Sequence, residues 1–509
     1  MKILFVASEL TPIAKVGGLG DVVGALSKSL HKLGTDVQIV VPRYHFIPKK
    51  GLKLIEKNIS ISLGSGFEKV SLYKTRLPSS GAPVFLIENN KYLSSPPGPY
   101  FESTAFAGAK KEIQRFAFFS KAVFEILSRN YAEDNAEKRG KLLSFRPDVV
   151  HCNDWHTGAL VSLLTRKTAE FYAEKRGKNI SVNQRIHQRK SALPKAIFTI
   201  HNLSNQGKWN SREIDKWFFG KKEQPIFKKF GKDYNFIAEG ILNTDFVTTV
   251  SPTYAREILT PKYGAGLDSA LRSRKKNLTG ILNGLDYDFW SPGKDKFIFQ
   301  NYSAKNISLK TINKTALQKS LKLNHDAAIP LFGLVARLTS QKGIDFIIKS
   351  LPGFLKKFNA QFIFLGRGAP EYEQALTKLA QKFPEQIYAK IGFDEALAHK
   401  IYAASDFFLM PSRFEPSGLG QMIAMRYGAI PIVRDTGGLH DTVKHLKTGF
   451  VFKIATTSDF EKAVKTARKY YLKYSKKLAV IQKNCLNENF DFSRSAQEYL
   501  KLYKTALSL

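Results

Sequence analysis

Cysteine is nearly absent. Cys152 and Cys485 are the only two in 509 residues, which excludes a disulfide framework and a thiolate metal cage. No apolar run approaches the roughly 18–20 residues that a membrane-spanning helix needs. The first apolar run, Ile3–Ala7, is too short for a secretory leader and leads straight into a glycine-rich loop, as a first buried strand does. A cytoplasmic protein with no membrane partner is expected. Acidic residues are also scarce, 43 against 79 Lys and Arg, leaving a net charge of +36. Such an excess attracts nucleic acid, anionic lipid or small anions. Here it is spread along the chain in short pairs such as Lys110-Lys111 and Lys356-Lys357, the pattern of a solvated lysine surface, so no specific nucleic-acid partner is expected. One denser block, Arg166–Lys195, holds nine basic and two acidic residues and reads as a surface insertion.

Hydrophobic residues make up 43% of the chain, enough for ordinary cores, and the length calls for two or more domains. Short apolar runs alternate with helical stretches throughout. Lys2–Ser8, Asp36–Val41, Pro83–Ile87, Pro147–His151, Ala196–His201 and Phe246–Ser251 read as buried strands. A second series follows at Pro330–Ala336, Gln361–Leu365, Ile387–Ile391, Phe407–Met410 and Ala429–Val433. Uniformly apolar strands separated by helices predict parallel sheets covered on both faces, hence two doubly wound α/β domains. Residues 1–278 and 279–490 form the expected halves. Residues 491–509 form a closing helix, apolar at Ala496, Leu500, Tyr503 and Leu507.

In such sheets ligands sit beyond the carboxyl ends of the strands, and the unusual residues cluster there. After the first strand comes Lys15-Val-Gly-Gly-Leu-Gly20, with Asp21 opening a helix through Leu33. Glycines and a helix N-terminus suit a phosphate, although a tight βα turn uses the same residues. His151–Gly158 and His201–Gly207 follow two more strands and carry the paired donors and acceptors that sugar hydroxyls need. His151, Asp154, His156 and His201 also have metal-ligand chemistry, but no recurring zinc or two-metal spacing accompanies them. In the second half, Arg337 and Lys342 stand five apart at a strand end, able to flank a diphosphate through charge-assisted bonds of roughly 1.5–3 kcal/mol each. Finally, Pro411–Gln421 sets Glu415 between prolines, just before the glycine-rich helix start Ser417–Gly420.

Taken in order, Lys15–Asp21, His151–Gly158, Thr199–Gly207, Thr249–Ile258, Ile281–Asp286, Arg337–Asp345 and Pro411–Gly438 resemble the blocks of the bacterial and plant glycogen (starch) synthase family. The resemblance implies the α/β GT-B fold, two Rossmann-like domains facing across a cleft, with the final helix crossing back to the first. It implies retaining transfer of glucose from ADP-glucose to the non-reducing end of glycogen or another α-1,4-glucan, with no cofactor and no metal. Glu415, His156, Arg337 and Lys342 would form the catalytic set. Arg337 and Lys342 would neutralise the diphosphate with help from the backbone of Gly418 and Leu419, and Glu415 would contact the transferred glucose. Lys15 and Gly18 would approach the diphosphate or acceptor, and His156 and Asn283 would hold sugar hydroxyls. Phe393 would stack on the base, Ser417 would shape its loop, and Thr436, Gly437 and Gly438 would line the donor pocket. Asp21, Asp154, His201, Asn202 and Gln206 would serve the acceptor or sugar side.

Four positions depart from that family's pattern. Lys111 stands where an aspartate is usual, Asn205 and Phe393 replace tyrosines, and Ser417 replaces a cysteine. Lys111 and Asn205 would suit a GT-B transferase with another acceptor, and a UDP-glucose donor is a further alternative. The charge alone would suit a non-catalytic glucan- or nucleic-acid-binding protein.

Overall fold

The computed structural model describes residues 1–78, 80–96, 98, 100, 106–132, 146–166, 194–220 and 225–508. Apart from its ends, the basic block Arg166–Lys195 lies outside the described residues. The chain divides into two compact units. One comprises Met1–Val250, Ala255–Ile281 and Phe492–Leu509; the other comprises Ser251–Tyr254 and Leu282–Asp491.

The first unit is built on β1 (Lys2–Val6), β2 (Asp36–Pro42), β3 (Lys53–Leu63), β4 (Gly66–Arg76), β5 (Pro83–Glu88), β6 (Val149–Asn153) and β7 (Lys195–Ile200). A small antiparallel sheet of β8 (Lys208–Asn210), β9 (Lys229–Phe230) and β10 (Asp233–Asn235) follows, then β11 (Phe246–Thr249) and β12 (Leu278–Gly280). The nine-stranded sheet runs β12-β11-β7-β6-β1-β2-β5-β4-β3. From β12 to β5 every pairing is parallel, and β5-β4-β3 continue antiparallel. The central strands are apolar because both faces are covered: Ile3, Phe5, Val37, Ile39 and Val41 share one core with Val22, Val23, Leu26 and Leu30 of the helix Gly18–Lys32. The last helix, Phe492–Ser508, buries Ala496, Tyr499, Leu502, Tyr503 and Ala506 in that same core, at the three- and four-residue spacing of one helical face.

Two sequence expectations need correction here. The helix after β1 begins at Gly18 rather than Asp21, so Gly18 and Gly20 lie inside its first turn. Strand β6 extends through Asn153, because Cys152 and Asn153 stay in register with Phe198 and Thr199 of β7. His151 is therefore inside a strand. Its Nδ1 meets the Tyr503 hydroxyl at 2.7 Å and its Nε2 meets the Thr199 hydroxyl at 2.6 Å, so it ties the last helix to the sheet.

The second unit holds a parallel sheet of β13 (Leu331–Val335), β14 (Gln361–Gly366), β15 (Ile387–Ile391), β16 (Phe407–Met410), β17 (Ile430–Arg434) and β18 (Phe450–Phe452). Its order is β15-β14-β13-β16-β17-β18. Phe332 on β13 stacks on Phe362 of β14 and Phe407 of β16 at 4.9 and 5.0 Å, a ladder of aromatic faces in a doubly covered sheet. The strand order reverses at β13, which places the loops after β13 and β16 side by side at the carboxyl edge.

Candidate active site

In the first unit the polar groups sit at the ends of β1, β6 and β7. Lys15 pairs with Asp21 at 2.9 Å across the glycine loop, and Asp21 also accepts the Thr11 hydroxyl at 3.0 Å. Beyond β6, Asp154 adopts φ +56°, a left-handed conformation uncommon for a non-glycine residue. Its Oδ1 accepts the backbone N–H of His201 at 2.7 Å and, more weakly, that of Asn202 at 3.4 Å, which clamps the ends of β6 and β7 together. Burial raises the Asp154 carboxyl to about 7 despite those two hydrogen bonds. Burial likewise lowers His156 and His201 to about 3, so both rings are neutral at ordinary pH.

His156 stands in an aromatic cage of Phe116 (4.5 Å), Trp155 (4.3 Å) and Tyr100 (5.4 Å). Its buried Nδ1 has no hydrogen-bond partner among the described residues. A buried polar atom of this kind is uncommon in a folded protein. His201 instead spends Nε2 on Asn153 at 3.0 Å. The Asn202 carboxamide accepts the N–H of Ser204, and Gln206 donates to Ala265 O at 2.8 Å while accepting from Asn235 at 2.8 Å. Gln206 thus shapes the loop around the site.

In the second unit the loops after β13, β16 and β17 converge. Lys342 Nζ lies 2.6 Å from Glu415 Oε2, and the Ser412 hydroxyl donates to that same oxygen at 2.9 Å. Arg337, exposed at the end of β13, makes a long 3.4 Å contact with Gln341. The Glu415 loop is braced from two sides. Arg434 Nε donates to Ser412 O at 2.7 Å and its Nη2 to Arg413 O, while Arg413 forms a bidentate pair with Asp345 at 2.6 and 2.7 Å. Gly438 donates its N–H to Glu415 O at 3.0 Å, and a Cβ there would lie 2.1 Å from Ser417 O, so no larger residue lets the β17 loop approach this closely. Thr436 and Gly437 precede it at the start of the helix Gly437–Thr442, and Gly418 and Leu419 precede the helix Gly420–Arg426. Ser417 Oγ and Asn283 Oδ1 are buried without a partner among the described residues. Phe393 is 77% exposed on the loop after β15, next to Asp394, whose carboxylate caps the following helix through Leu397 N at 2.8 Å. Among the described residues no group of three or more His, Cys, Asp or Glu could hold a metal ion, and no helix is long and apolar enough to cross a membrane.

Glu9, Tyr100, Ser412, Arg413 and Arg434 carry no sequence signal of the contacts they make here. Arg413 and Ser412 lie within the Glu415 block, but nothing local marks which of its residues brace and which react.

These sites stand beside two family matches. The starch synthase catalytic domain covers residues 2–273, and the group 1 glycosyl transferases cover residues 313–483. The glycogen synthase of Alkaliphilus metalliredigens is 37% identical over 99% of this chain and 100% of its own length. That of Thermotoga maritima is 36% identical over 100% and 99%. The chain belongs to the glycogen and starch synthase family of glycosyltransferases. The catalytic domain of starch synthase IV from Arabidopsis thaliana, solved with ADP and acarbose, superposes with a TM-score of 0.84 at 31% identity, covering 100% of this chain and 99% of that one. A sucrose-phosphate synthase from Thermosynechococcus elongatus shares the fold at a TM-score of 0.58 and 16% identity. The two α/β units are those of a GT-B glycosyltransferase.

Proposed function

We propose that this chain is a glycogen synthase that transfers glucose from ADP-glucose to the non-reducing end of an α-1,4-glucan with retention of configuration. The observation that carries the reading is the pairing of buried Glu415 with partly exposed Lys342, near Arg337: a carboxylate and two cations at adjacent strand ends. Breaking a glycosyl–phosphate bond builds positive charge on the sugar and negative charge on the departing nucleoside diphosphate. Arg337 and Lys342 stabilise the leaving group, with the backbone N–H groups of Gly418 and Leu419, and Glu415 faces the glucose. Asn283 and His156, each with an orphaned buried atom, take sugar hydroxyls. Thr436, Gly437 and Gly438 line the donor side, and Lys15 and Gly18 approach the diphosphate or acceptor. Asp21, Asp154, His201, Asn202 and Gln206 support the sugar side by holding these loops.

Phe393 offers an exposed apolar face for the base. Base–aromatic stacking contributes about 1–3 kcal/mol and tolerates any base, but the larger purine gains more. That favours adenine, in keeping with the ADP bound to the starch synthase IV domain. The test is kcat/KM with glycogen as acceptor and each nucleotide-glucose as donor, read as released nucleotide. ADP-glucose is expected to give the higher value; a higher value for UDP-glucose overturns the donor assignment.

A further inference from the structure

Glu9, the carboxylate that follows β1, takes part in none of these steps, yet it is only 3% exposed. Its Oε2 accepts the N–H groups of Val16 at 2.9 Å and Gly17 at 2.7 Å, and its Oε1 accepts the Tyr100 hydroxyl at 2.6 Å. Val16 and Gly17 immediately precede the helix Gly18–Lys32, where free N–H groups and the helix dipole attract an anion. That anion is already present, and it is part of the chain. A substrate phosphate approaching the glycine loop finds these two donors occupied.

The third glycine of the loop makes room for this arrangement. A Cβ on Gly20 would lie 3.2 Å from both Cβ and Oε2 of Glu9, so a side chain there would crowd the carboxylate by a few tenths of an ångström. At the other end, Tyr100 shares its hydroxyl with Ser8 Oγ at 3.1 Å and sets its ring 5.4 Å from that of His156. Burial and the neighbouring Glu9 charge hold the Tyr100 phenol well above its ordinary pKa, so it remains a donor. Burying a carboxylate is costly, and the three charge-assisted hydrogen bonds offset that cost. What the arrangement adds is fixed geometry more than stability.

We infer that Glu9 is a positioning residue for glucose transfer, locking the Lys15–Gly18 loop to Tyr100 and, through the Tyr100 ring, to His156. The inference rests on the roles given above to Lys15 and His156. Glu9 itself touches no reacting group; it keeps the loop's cation and the caged histidine at one spacing.

Steady-state kinetics with glycogen and both nucleotide-glucoses test it, so that the result does not depend on the donor assignment. A wild-type enzyme inactive with either donor would count against the proposed function and not against Glu9. Glu9→Ala is expected to lower kcat by about 10²-fold, the cost of a misplacement near 1 Å, with donor KM changed by no more than about threefold. Tyr100→Phe should give a smaller loss in kcat, and the double variant should be no worse than Glu9→Ala alone, because both cut the same link. Glu9→Gln, which keeps an acceptor for the two N–H groups and offers an amide donor to the Tyr100 oxygen, should restore most of kcat. Multiplicative losses in the double variant, or wild-type kcat in Glu9→Ala, overturn the inference. If Glu9→Ala does not fold, Tyr100→Phe decides alone. A fall in kcat at unchanged thermal midpoint supports the link, and an unchanged kcat overturns it.

Discussion

The two units build their polar sites by opposite means. In the first, the cluster beyond β6 and β7 buries groups held neutral: His156 and His201 are uncharged and Asp154 titrates near neutrality. The second gathers formal charge, with Lys342 against Glu415 and Arg337 exposed beside them. A sugar hydroxyl is neutral and is recognised by fixed donors and acceptors in a dry wall, whereas a departing diphosphate needs cations. The proposed function therefore gives the neutral cluster the acceptor's hydroxyls and the charged cluster the leaving group.

The largest expected effect tests the charged side. Glu415→Gln keeps the loop's shape and removes the charge, so kcat should fall by about 10²–10³-fold, the scale of losing one transition-state electrostatic contact. Lys342→Ala should lower kcat comparably and also destabilise the protein, because it leaves buried Glu415 with the Ser412 hydroxyl but without its counter-ion, a loss below the roughly 3–5 kcal/mol of a fully buried pair since Lys342 is partly exposed. The double variant Lys342→Ala/Glu415→Gln should regain most of that stability while kcat stays low. Wild-type turnover from Glu415→Gln would show that the carboxylate only anchors its loop, and the contrast between the units would collapse.

The neutral side predicts an acid-sensitive first unit. His151, His156 and His201 are each lowered from 6.5 to about 3 by burial. A depressed folded-state pKa leaves stability intact above 6.5 and removes it as the pH falls from there toward 3, by roughly 1 kcal/mol per histidine per pH unit. Chemical denaturation followed from pH 7.5 to 5 should show this slope. His151→Gln should lower stability at neutral pH but remove one of the three contributions to the slope. A wild-type stability that stays flat down to pH 5 would mean that these rings are solvated enough to protonate in the folded state.

The fold class was legible because parallel strands covered on both faces leave uninterrupted apolar runs, as in Phe362-Ile363-Phe364-Leu365. Strands β3 and β4 were not: they lie at the sheet's edge, exposing residues such as Lys53, Leu54, Lys57 and Phe67, and carry no such run. At the candidate site, Lys342 and Glu415 each drew attention as chemistry at a strand end. Their ion pair joins residues 73 apart, and no local pattern encodes it. Glu9 and Tyr100 were invisible for the same reason, being a single carboxylate and a single phenol 91 residues apart. His151 shows the converse. It reads as a site residue from its block, and only the fold reveals that both ring nitrogens are spent on Tyr503 and Thr199.

The smallest expected effect has the opposite sign and belongs to one residue. Burial raises Asp154 from 3.8 to about 7. A group whose folded-state pKa is raised contributes stability that is complete below 3.8 and is lost as the pH climbs through 7. Within the first unit Asp154 thus offsets part of what the histidines lose in acid. Asp154→Asn keeps an oxygen to accept the His201 N–H, never ionises, and is close to isosteric, so it asks no more of the unusual backbone here than aspartate does. The stability of the Asn variant relative to wild type should therefore rise with pH, by roughly 1 kcal/mol per unit from about 4 to 7. It should level off above that, where the wild-type carboxylate is fully ionised. The acid descent measured for the histidines should be steeper in this variant than in wild type. Matched denaturation curves at pH 5, 6, 7 and 8 check it: a difference that does not change with pH would mean that Asp154 ionises freely in the folded protein, and that the cluster beyond β6 and β7 is not the dry, neutral surround that sets it apart from the Lys342–Glu415 cluster.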